Sequence, residues 1–204
     1  MVSAVCISHS TGAGGDAVAR SVAERLGYRF VDDEVIEQAS EWAELAPGFI
    51  ASVERRKSLM DRVLGHVDES SALSLTPSAG GRGLPADADL RTLIKQVLAS
   101  IADGGSVVIV SHAASFALTG RDVLRVLVTA SPETRTARLS EAKGIDSGAS
   151  ARLVKREDAG RADYLKRFYG VERELPTHFD VVVNTDMLDP DQASAVIVAA
   201  AGAA

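Results

Sequence analysis

The amino-acid sequence predicts a single α/β domain with a mostly parallel, five-stranded sheet covered by helices on both faces. Three observations lead to this fold class. Short apolar runs alternate with amphipathic segments along the 204 residues, the runs 106–110 and 123–129 are almost continuously apolar, and a glycine cluster follows the first run. Strands of a parallel sheet are buried on both faces and joined by helices, which produces this pattern. The length is sufficient for one sizeable core.

Each element is predicted from its local pattern. Residues 2–8 form the first apolar run, and 16–26 place Val18, Val22 and Leu26 at helical spacing. Residues 70–89 are rich in Gly, Pro and Ser and have no period, so we expect a mobile surface loop within the domain. The remaining predicted strands are 28–31, 106–110, 123–129 and 179–184, and the remaining predicted helices are 33–45, 49–66, 90–102, 149–169, 191–201 and one that starts at Pro132.

The composition limits the class of protein. The chain has 22 basic and 28 acidic residues and a net charge of −6. Binding to nucleic acid needs a concentrated basic face, so we expect no nucleic-acid partner. No apolar stretch is long enough to cross a membrane, and because no basic segment precedes an apolar one at the start, we expect no secretory signal. The lone cysteine, Cys6, lies in an apolar run, which favours a buried thiol in a cytoplasmic protein. The sequence is also compatible with a homodimer.

The segment Ser8-His9-Ser10-Thr11-Gly12-Ala13-Gly14-Gly15 joins the first predicted strand to the first predicted helix. Glycines at such a place let backbone N–H groups turn inward, where they bind phosphate together with the helix N-terminus. The strict phosphate-loop pattern ends in Gly-Lys-Ser/Thr, whereas Asp16 follows Gly15 here. The segment is therefore either a phosphate-binding loop or a structural glycine turn.

Polar residues also follow the ends of other predicted strands. Asp32 follows the second strand, Ser111 and His112 follow the third, and Ser131 follows the fourth. Ligands of parallel sheets bind beyond the carboxyl ends of the strands, so these groups predict one common site. Many of the basic residues lie within 135–173, and a local cationic region in an acidic protein suits a small anionic ligand. No spacing of His, Cys, Asp or Glu predicts a zinc site.

Several stretches resemble the cytidylate kinase-like family. They are ISHSTGAGGDAVARSVAERLGYRFVDDEVIEQA, GGSVVIVSHAASFAL, VLRVLVTASPETRTARL, and KREDAGRADYLKRFYG with FDVVVNTDML. Their order and spacing carry the resemblance, which covers most of the chain outside 49–89. The resemblance implies a three-layer P-loop fold. It also implies transfer of a phosphoryl group from ATP, with Mg²⁺, to a small-molecule nucleotide such as CMP.

The resemblance also assigns roles to residues, and it places a helical insertion near 33–89 and a lid-like segment near 140–160. The implied donor-binding residues are His9, Ser10, Thr11, Gly12, Ala13, Gly14 and Gly15; the implied catalytic residues are Asp32, Arg135, Arg138, Arg156 and Arg161; and the implied acceptor-binding residues are His112, Asp158 and Tyr164.

Simpler roles stay open for several of these residues. Asp32 can cap the helix that follows it, and His112 can be an ordinary turn histidine. Arg156 and Arg161 can belong to a solvated amphipathic helix with pairs such as Glu157 and Arg161.

Four positions depart from the family pattern, which usually has arginine where His9, Asp16, Asp33 and His112 stand. Phosphoryl transfer depends on cations around the moving group. Loss of one such donor costs about 3 kcal/mol in the transition state. Three hypotheses follow: an active phosphotransferase, an inactive relative that binds nucleotide as a sensor or as a subunit of a complex, and a protein that keeps the fold without binding nucleotide.

Overall fold

The computed structural model describes residues 2–32, 87–111 and 114–203. The predicted alternation of strands and helices is confirmed there: one strand has the predicted bounds Val123–Thr129, and the helix predicted from Pro132 begins at that residue. In chain order the elements are β1 (Ala4–His9), α1 (Gly15–Leu26), β2 (Arg29–Val31), α2 (Asp87–Asp103), β3 (Val107–Val110), α3 (Ala114–Ala117), β4 (Val123–Thr129), α4 (Pro132–Lys143), α5 (Ser147–Tyr169), a 3₁₀ turn (Pro176–His178), β5 (Val181–Asn184) and α6 (Pro190–Ala203).

The five described strands form one parallel sheet in the order β2-β3-β1-β4-β5. β1 is central: Ala4 lies opposite Val107 of β3 on one side and Val123 of β4 on the other. The chain leaves β1 toward one half of the sheet and later returns through β4 to the other half. Such a reversal opens a crevice at the carboxyl ends of the central strands, where α/β proteins bind ligands.

Helices cover both faces of the sheet, as predicted. Successive side chains of β1 point to opposite faces. Val5 and Ile7 are buried with apolar residues of α1 and α6, whereas Ala4 and Cys6 are buried with those of α2, α3 and α5. Cys6 is a free thiol with no exposed surface, and burial raises its pKa to about 12. The expectation of a buried thiol is confirmed.

Some boundaries differ from the predictions. Residues 87–89 were expected in the loop but belong to α2, which begins at Asp87. α5 begins at Ser147, two residues earlier than predicted, because Asp146 accepts a hydrogen bond from the Ala149 N–H at 2.9 Å. α3 and the 3₁₀ turn are too short to give a periodic signal. The predicted helices 33–45 and 49–66, and residues 70–86 of the predicted loop, lie outside the described residues.

An arginine–aspartate pair fixes β5 against β4 at the amino ends of these strands. Arg125 donates to Asp180 through Nε at 3.0 Å and Nη2 at 2.7 Å, and the Asp180 N–H donates to the Arg125 carbonyl at 2.8 Å. The hydrogen bonds that the Asp180 carboxylate accepts from the Arg125 side chain, and from the Arg125 N–H at 2.8 Å, lower the pKa of Asp180 below its ordinary value. Within the described part of the chain, no helix has both the length and the apolar character that a membrane span requires.

Candidate functional site

Residues 9–15, at the junction of β1 and α1, form the glycine loop. Gly12 has φ +83° and Gly14 has φ +77°, in the left-handed region that glycine adopts without strain. The Ala13 N–H donates to the Ser10 carbonyl at 2.9 Å and closes a tight turn. Gly14 caps α1 without a side-chain hydrogen bond, so the loop backbone itself forms the N-terminal end of the helix.

Two glycines of the loop are required by close neighbours. A Cβ on Gly12 would lie 2.8 Å from the backbone carbonyl oxygen of Arg135, which is on α4. A Cβ on Gly15 would lie 2.2 Å from the Cβ of His9. The loop therefore packs directly against the backbone of α4 on one side and folds closely over the end of β1 on the other.

Side chains from later elements bind every second carbonyl of the glycine loop. Two of these carbonyl oxygens accept a hydrogen bond from a guanidinium group only. The third accepts one mainly from a buried hydroxyl. Arg161 Nη1 donates to His9 O at 2.7 Å, Arg135 Nη1 donates to Thr11 O at 3.3 Å, and Thr185 Oγ1 donates to Ala13 O at 2.8 Å, with Arg138 Nη1 at 3.4 Å from the same oxygen.

The orientation of these carbonyls fixes the direction of the next N–H groups. In a trans peptide the N–H points away from the carbonyl of the same peptide plane, so the N–H groups of Gly12 and Gly14 point away from α4 and from Thr185. Among the described residues, neither of these N–H groups nor that of Gly15 forms a hydrogen bond. Together with the positive end of the α1 dipole, they provide a backbone site suited to an anion.

Two predicted catalytic arginines are paired with carboxylates. Arg135 donates to both Asp158 oxygens at 2.8 and 2.7 Å, and Arg161 donates to both Glu174 oxygens at 2.6 and 2.7 Å. The two arginine side chains are only 7% and 9% exposed, so both guanidinium groups are largely shielded from solvent, whereas the Asp158 carboxylate is 43% exposed. In this arrangement the arginines hold the loop and their charges are compensated. Their contact with a transferred phosphate, and that of Asp158 with an acceptor, stay predictions.

The other two predicted catalytic arginines have different surroundings. Arg138 Nη2 donates to the Thr185 carbonyl at 2.6 Å, and Nη1 lies 3.0 Å from the Thr185 hydroxyl. Arg156 lies 3.5 Å from Glu157, and its buried Nε has no hydrogen-bond partner among the described residues. Arg138 thus belongs to the support of the glycine loop. No described contact joins Arg156 to that loop, and its catalytic role stays a prediction.

Two of the four positions that differ from the family pattern contact each other. His9 Nε2 lies 3.2 Å from Asp16 Oδ1, and the Asp16 side chain is 62% exposed. Asp16 is in the first turn of α1, where a carboxylate interacts favourably with the helix dipole. Ser10 Oγ lies 3.5 Å from Thr129 Oγ1 at the end of β4. The open amides of the glycine loop therefore have a carboxylate beside them, and an arriving anion would meet that negative charge.

The remaining predicted site residues are distributed unevenly. Asp32 directly follows β2 at the carboxyl edge of the sheet and is partly buried. Tyr164 lies in the core, 6% exposed, and stacks on Phe168 with ring centroids 4.8 Å apart. His112 and Asp33 lie outside the described residues. The structure gathers the glycine loop, α4 and α5, but it places Tyr164 away from the surface. The roles of Asp32 and Tyr164 stay predictions.

Residues 4–187 match the cytidylate kinase-like family. The chain belongs to this family. The resemblance found in the sequence is thereby confirmed. A cytidylate kinase of Sulfurisphaera tokodaii is 30% identical over 95 residues, which are 46% of this chain and 52% of that enzyme. The match thus spans about half the length of this relative.

Solved structures share the fold of this cytidylate kinase-like protein. An uncharacterized protein from Eubacterium ventriosum superimposes with a TM-score of 0.66 at 18% identity, over 98% of this chain and 99% of that one. Shikimate kinase from Bacteroides thetaiotaomicron superimposes with a TM-score of 0.52 at 15% identity, over 100% of this chain and 98% of that one. At these identities the likeness establishes the α/β fold alone.

Three residues of this cytidylate kinase-like protein support the site without having been predicted from sequence. Thr185 and Asp186 follow β5, so the same strand-end rule that selected Asp32 could have found them. Asp186 accepts hydrogen bonds from the backbone N–H and hydroxyl of Ser131 at 2.9 and 3.0 Å, and these bonds lower the pKa of Asp186 to about 2. Glu174 lies between elements and carries no sequence signal.

Proposed function

We propose that this protein binds the phosphates of ATP at the glycine loop and transfers the terminal phosphoryl group to a nucleoside monophosphate such as CMP. The observation that carries the proposal is the orientation of the peptide groups in the glycine loop. Their carbonyls are bound from behind by Arg161, Arg135 and Thr185, and the N–H groups of Gly12 and Gly14 remain open. Membership in the cytidylate kinase-like family supports a nucleotide as the ligand.

The proposed chemistry is an in-line displacement. A phosphate oxygen of the acceptor forms a bond to the γ-phosphorus of ATP, the bond from that phosphorus to the β–γ bridging oxygen breaks, and ADP leaves. The loop amides would hold the donor phosphates, and Asp32 would orient the acceptor. Arg156 would add positive charge near the moving group. Its nearest described carboxylate, that of Glu157, is 3.5 Å away, so its charge is less compensated than the charges of Arg135 and Arg161.

Mg²⁺ is the metal that this chemistry implies, and the donors at this edge of the sheet fit it. Asp16 and Asp32 are carboxylates, and Mg²⁺ prefers oxygen ligands. No group of three His, Cys, Asp or Glu side chains in the described ranges is placed to hold a metal ion. Mg²⁺ commonly uses one or two carboxylates together with substrate phosphates. We therefore assign it to the nucleotide, where it would offset phosphate charge.

The test measures binding and turnover separately. ADP release would be followed with ATP, Mg²⁺ and a panel of nucleoside monophosphates, and thermal unfolding would be recorded with and without ATP. An ATP concentration of 100 times the dissociation constant adds about 2.7 kcal/mol to the free energy of unfolding. For a chain of this size that raises Tm by roughly 5–11 °C. Stabilisation with ADP release that requires an acceptor is the expected result.

A second candidate function is a nucleotide sensor without turnover. It is favoured by the carboxylate partners of Arg135 and Arg161, which compensate the charges that phosphoryl transfer would use. In the same experiment this candidate gives thermal stabilisation by ATP and no ADP release with any acceptor. Indifference of Tm to every nucleotide, with no ADP release, contradicts both candidates and leaves only the fold in common with kinases.

A further inference from the structure

Thr185 is a buried polar residue that contacts the glycine loop from the far end of the sequence. It directly follows β5 and is 3% exposed. Its hydroxyl lies 2.8 Å from Ala13 O, 3.2 Å from Thr129 O and 3.0 Å from Arg138 Nη1. A buried hydroxyl with three polar neighbours is held in one orientation, because each alternative would leave a buried group without a hydrogen bond.

The direction of the hydroxyl proton follows from the neighbours. Arg138 can only donate, so the Thr185 oxygen accepts from its Nη1. Thr129 O already accepts the Thr185 N–H at 2.8 Å. The single hydroxyl proton therefore goes to Ala13 O, which is also the shorter contact. Arg138 is a weak substitute for this bond, since its Nη1 lies 3.4 Å from Ala13 O.

The Ala13 carbonyl and the Gly14 N–H belong to one peptide plane. A hydrogen bond that turns the carbonyl toward Thr185 turns the N–H to the opposite, solvent-exposed side. Gly14 has φ +77° and no side chain, so its own conformational preference hardly restricts the rotation of this peptide. The orientation of the Gly14 N–H thus depends on the contact made by Thr185.

We propose that Thr185 is a positioning residue: its hydroxyl holds the Ala13–Gly14 peptide so that the Gly14 N–H faces a bound phosphate group. The proposal rests on the proposed binding of phosphate at the glycine loop and names a residue on which that binding depends. Thr185 itself does not touch the phosphate. It acts through Ala13 O, and the relevant feature is the hydroxyl proton.

The test compares three variants by their affinity for ATP, for inorganic tripolyphosphate and for adenosine. Thr185→Val keeps the shape and removes the hydroxyl, Thr185→Ser keeps the hydroxyl, and Thr119→Val is the matched control. Thr119 is exposed near the amino end of β4, and its hydroxyl also donates to a backbone carbonyl, that of Phe116 at 3.0 Å. Urea unfolding of each variant separates a loss of binding from a loss of folded protein.

We expect Thr185→Val to weaken ATP and tripolyphosphate binding about tenfold, as expected for the loss of one charge-assisted contact in the site. Thr185→Ser is expected to restore wild-type affinity within about threefold, and Thr119→Val to leave it unchanged. Any affinity for adenosine is expected to stay the same in all three, because adenosine carries no phosphate. If Thr185→Val does not fold, Thr185→Cys takes its place, since a thiol fills similar space and donates only weakly.

The outcomes separate this proposal from the one on which it rests. A wild-type protein that binds neither ATP nor tripolyphosphate overturns both. A wild-type protein that binds them, with a folded Thr185→Val or Thr185→Cys variant of equal affinity, overturns the positioning role alone. The same holds if Thr185→Ser loses as much affinity as Thr185→Val, or if adenosine affinity falls in parallel.

Discussion

Alanine at Gly12 and alanine at Gly14 form a matched pair that tests how closely the glycine loop packs against α4. The two glycines have nearly the same backbone conformation, with φ +83° and +77°. Their surroundings differ. A Cβ on Gly12 would lie 2.8 Å from the Arg135 carbonyl oxygen and 3.1 Å from the Arg135 Cα, whereas a Cβ on Gly14 would meet nothing within 4 Å.

The expected difference in stability follows from two contributions, the backbone conformation and the contact with Arg135. A left-handed conformation costs an alanine about 1–2 kcal/mol, and this cost is common to both variants. The close contact at Gly12 is with backbone atoms of a helix, which cannot rotate aside as a side chain can. Overpacking of this kind adds about 1–3 kcal/mol. We expect Gly12→Ala to be less stable than Gly14→Ala by about 2 kcal/mol, or roughly 4–8 °C in Tm.

The assay is urea unfolding of the wild type and both variants, followed by circular dichroism, with the slope of the transition checked for equality. Equal slopes indicate that both variants unfold from a similarly compact state. Equal losses of stability in the two variants would refute the close packing of Gly12 on α4. A smaller loss for Gly12→Ala than for Gly14→Ala would refute it more strongly.

Two further predictions concern charged groups. Glu174→Gln should lower the free energy of unfolding by about 1–3 kcal/mol, because it leaves the largely buried Arg161 without its carboxylate. The control is Glu172→Gln, at the exposed pair with Lys166. In the same urea assay it should change the free energy of unfolding by less than about 0.5 kcal/mol. Asp186 has a pKa lowered to about 2, so it stabilises the fold above its ordinary pKa of 3.8, and this stability should fall as the pH drops from 3.8 toward 2. Asp186→Asn should reduce the acid dependence of unfolding between pH 3.8 and about 2, and an unchanged profile would contradict the assignment.

The sequence was sufficient for the sheet and for the glycine turn that follows β1. The apolar runs around Val108 and Val126 are buried strands in both descriptions, since a strand covered on two faces leaves a continuous apolar signal. The glycine cluster marks the turn after β1 because the positive φ angles of Gly12 and Gly14 favour glycine. These features are local, and local patterns are directly visible in a sequence.

The direction of a long side chain was not visible. Arg135 and Arg161 each contact a carboxylate and a loop carbonyl, and none of these four partners was expected from the sequence. The predicted contact of the two arginines with a phosphate stays a prediction. Their partners Asp158 and Glu174 lie 23 and 13 residues away along the chain, and only the packing of α4 and α5 brings them together. Tyr164 was likewise assigned from its motif, while its burial depends on which face of α5 meets the sheet.

The supports of the glycine loop are all distant in sequence from the loop itself. The loop lies within the first fifteen residues, and the side chains that orient its carbonyls begin at Arg135 and end at Thr185. β1 likewise needs β4 beside it, where the Val128 carbonyl accepts the Ser10 N–H at 3.0 Å. Contacts of such large sequence separation form late, because the intervening chain must first be closed. During ribosomal synthesis the glycine loop is made before all of these supports, and it cannot acquire its final shape until Thr185 has left the exit tunnel.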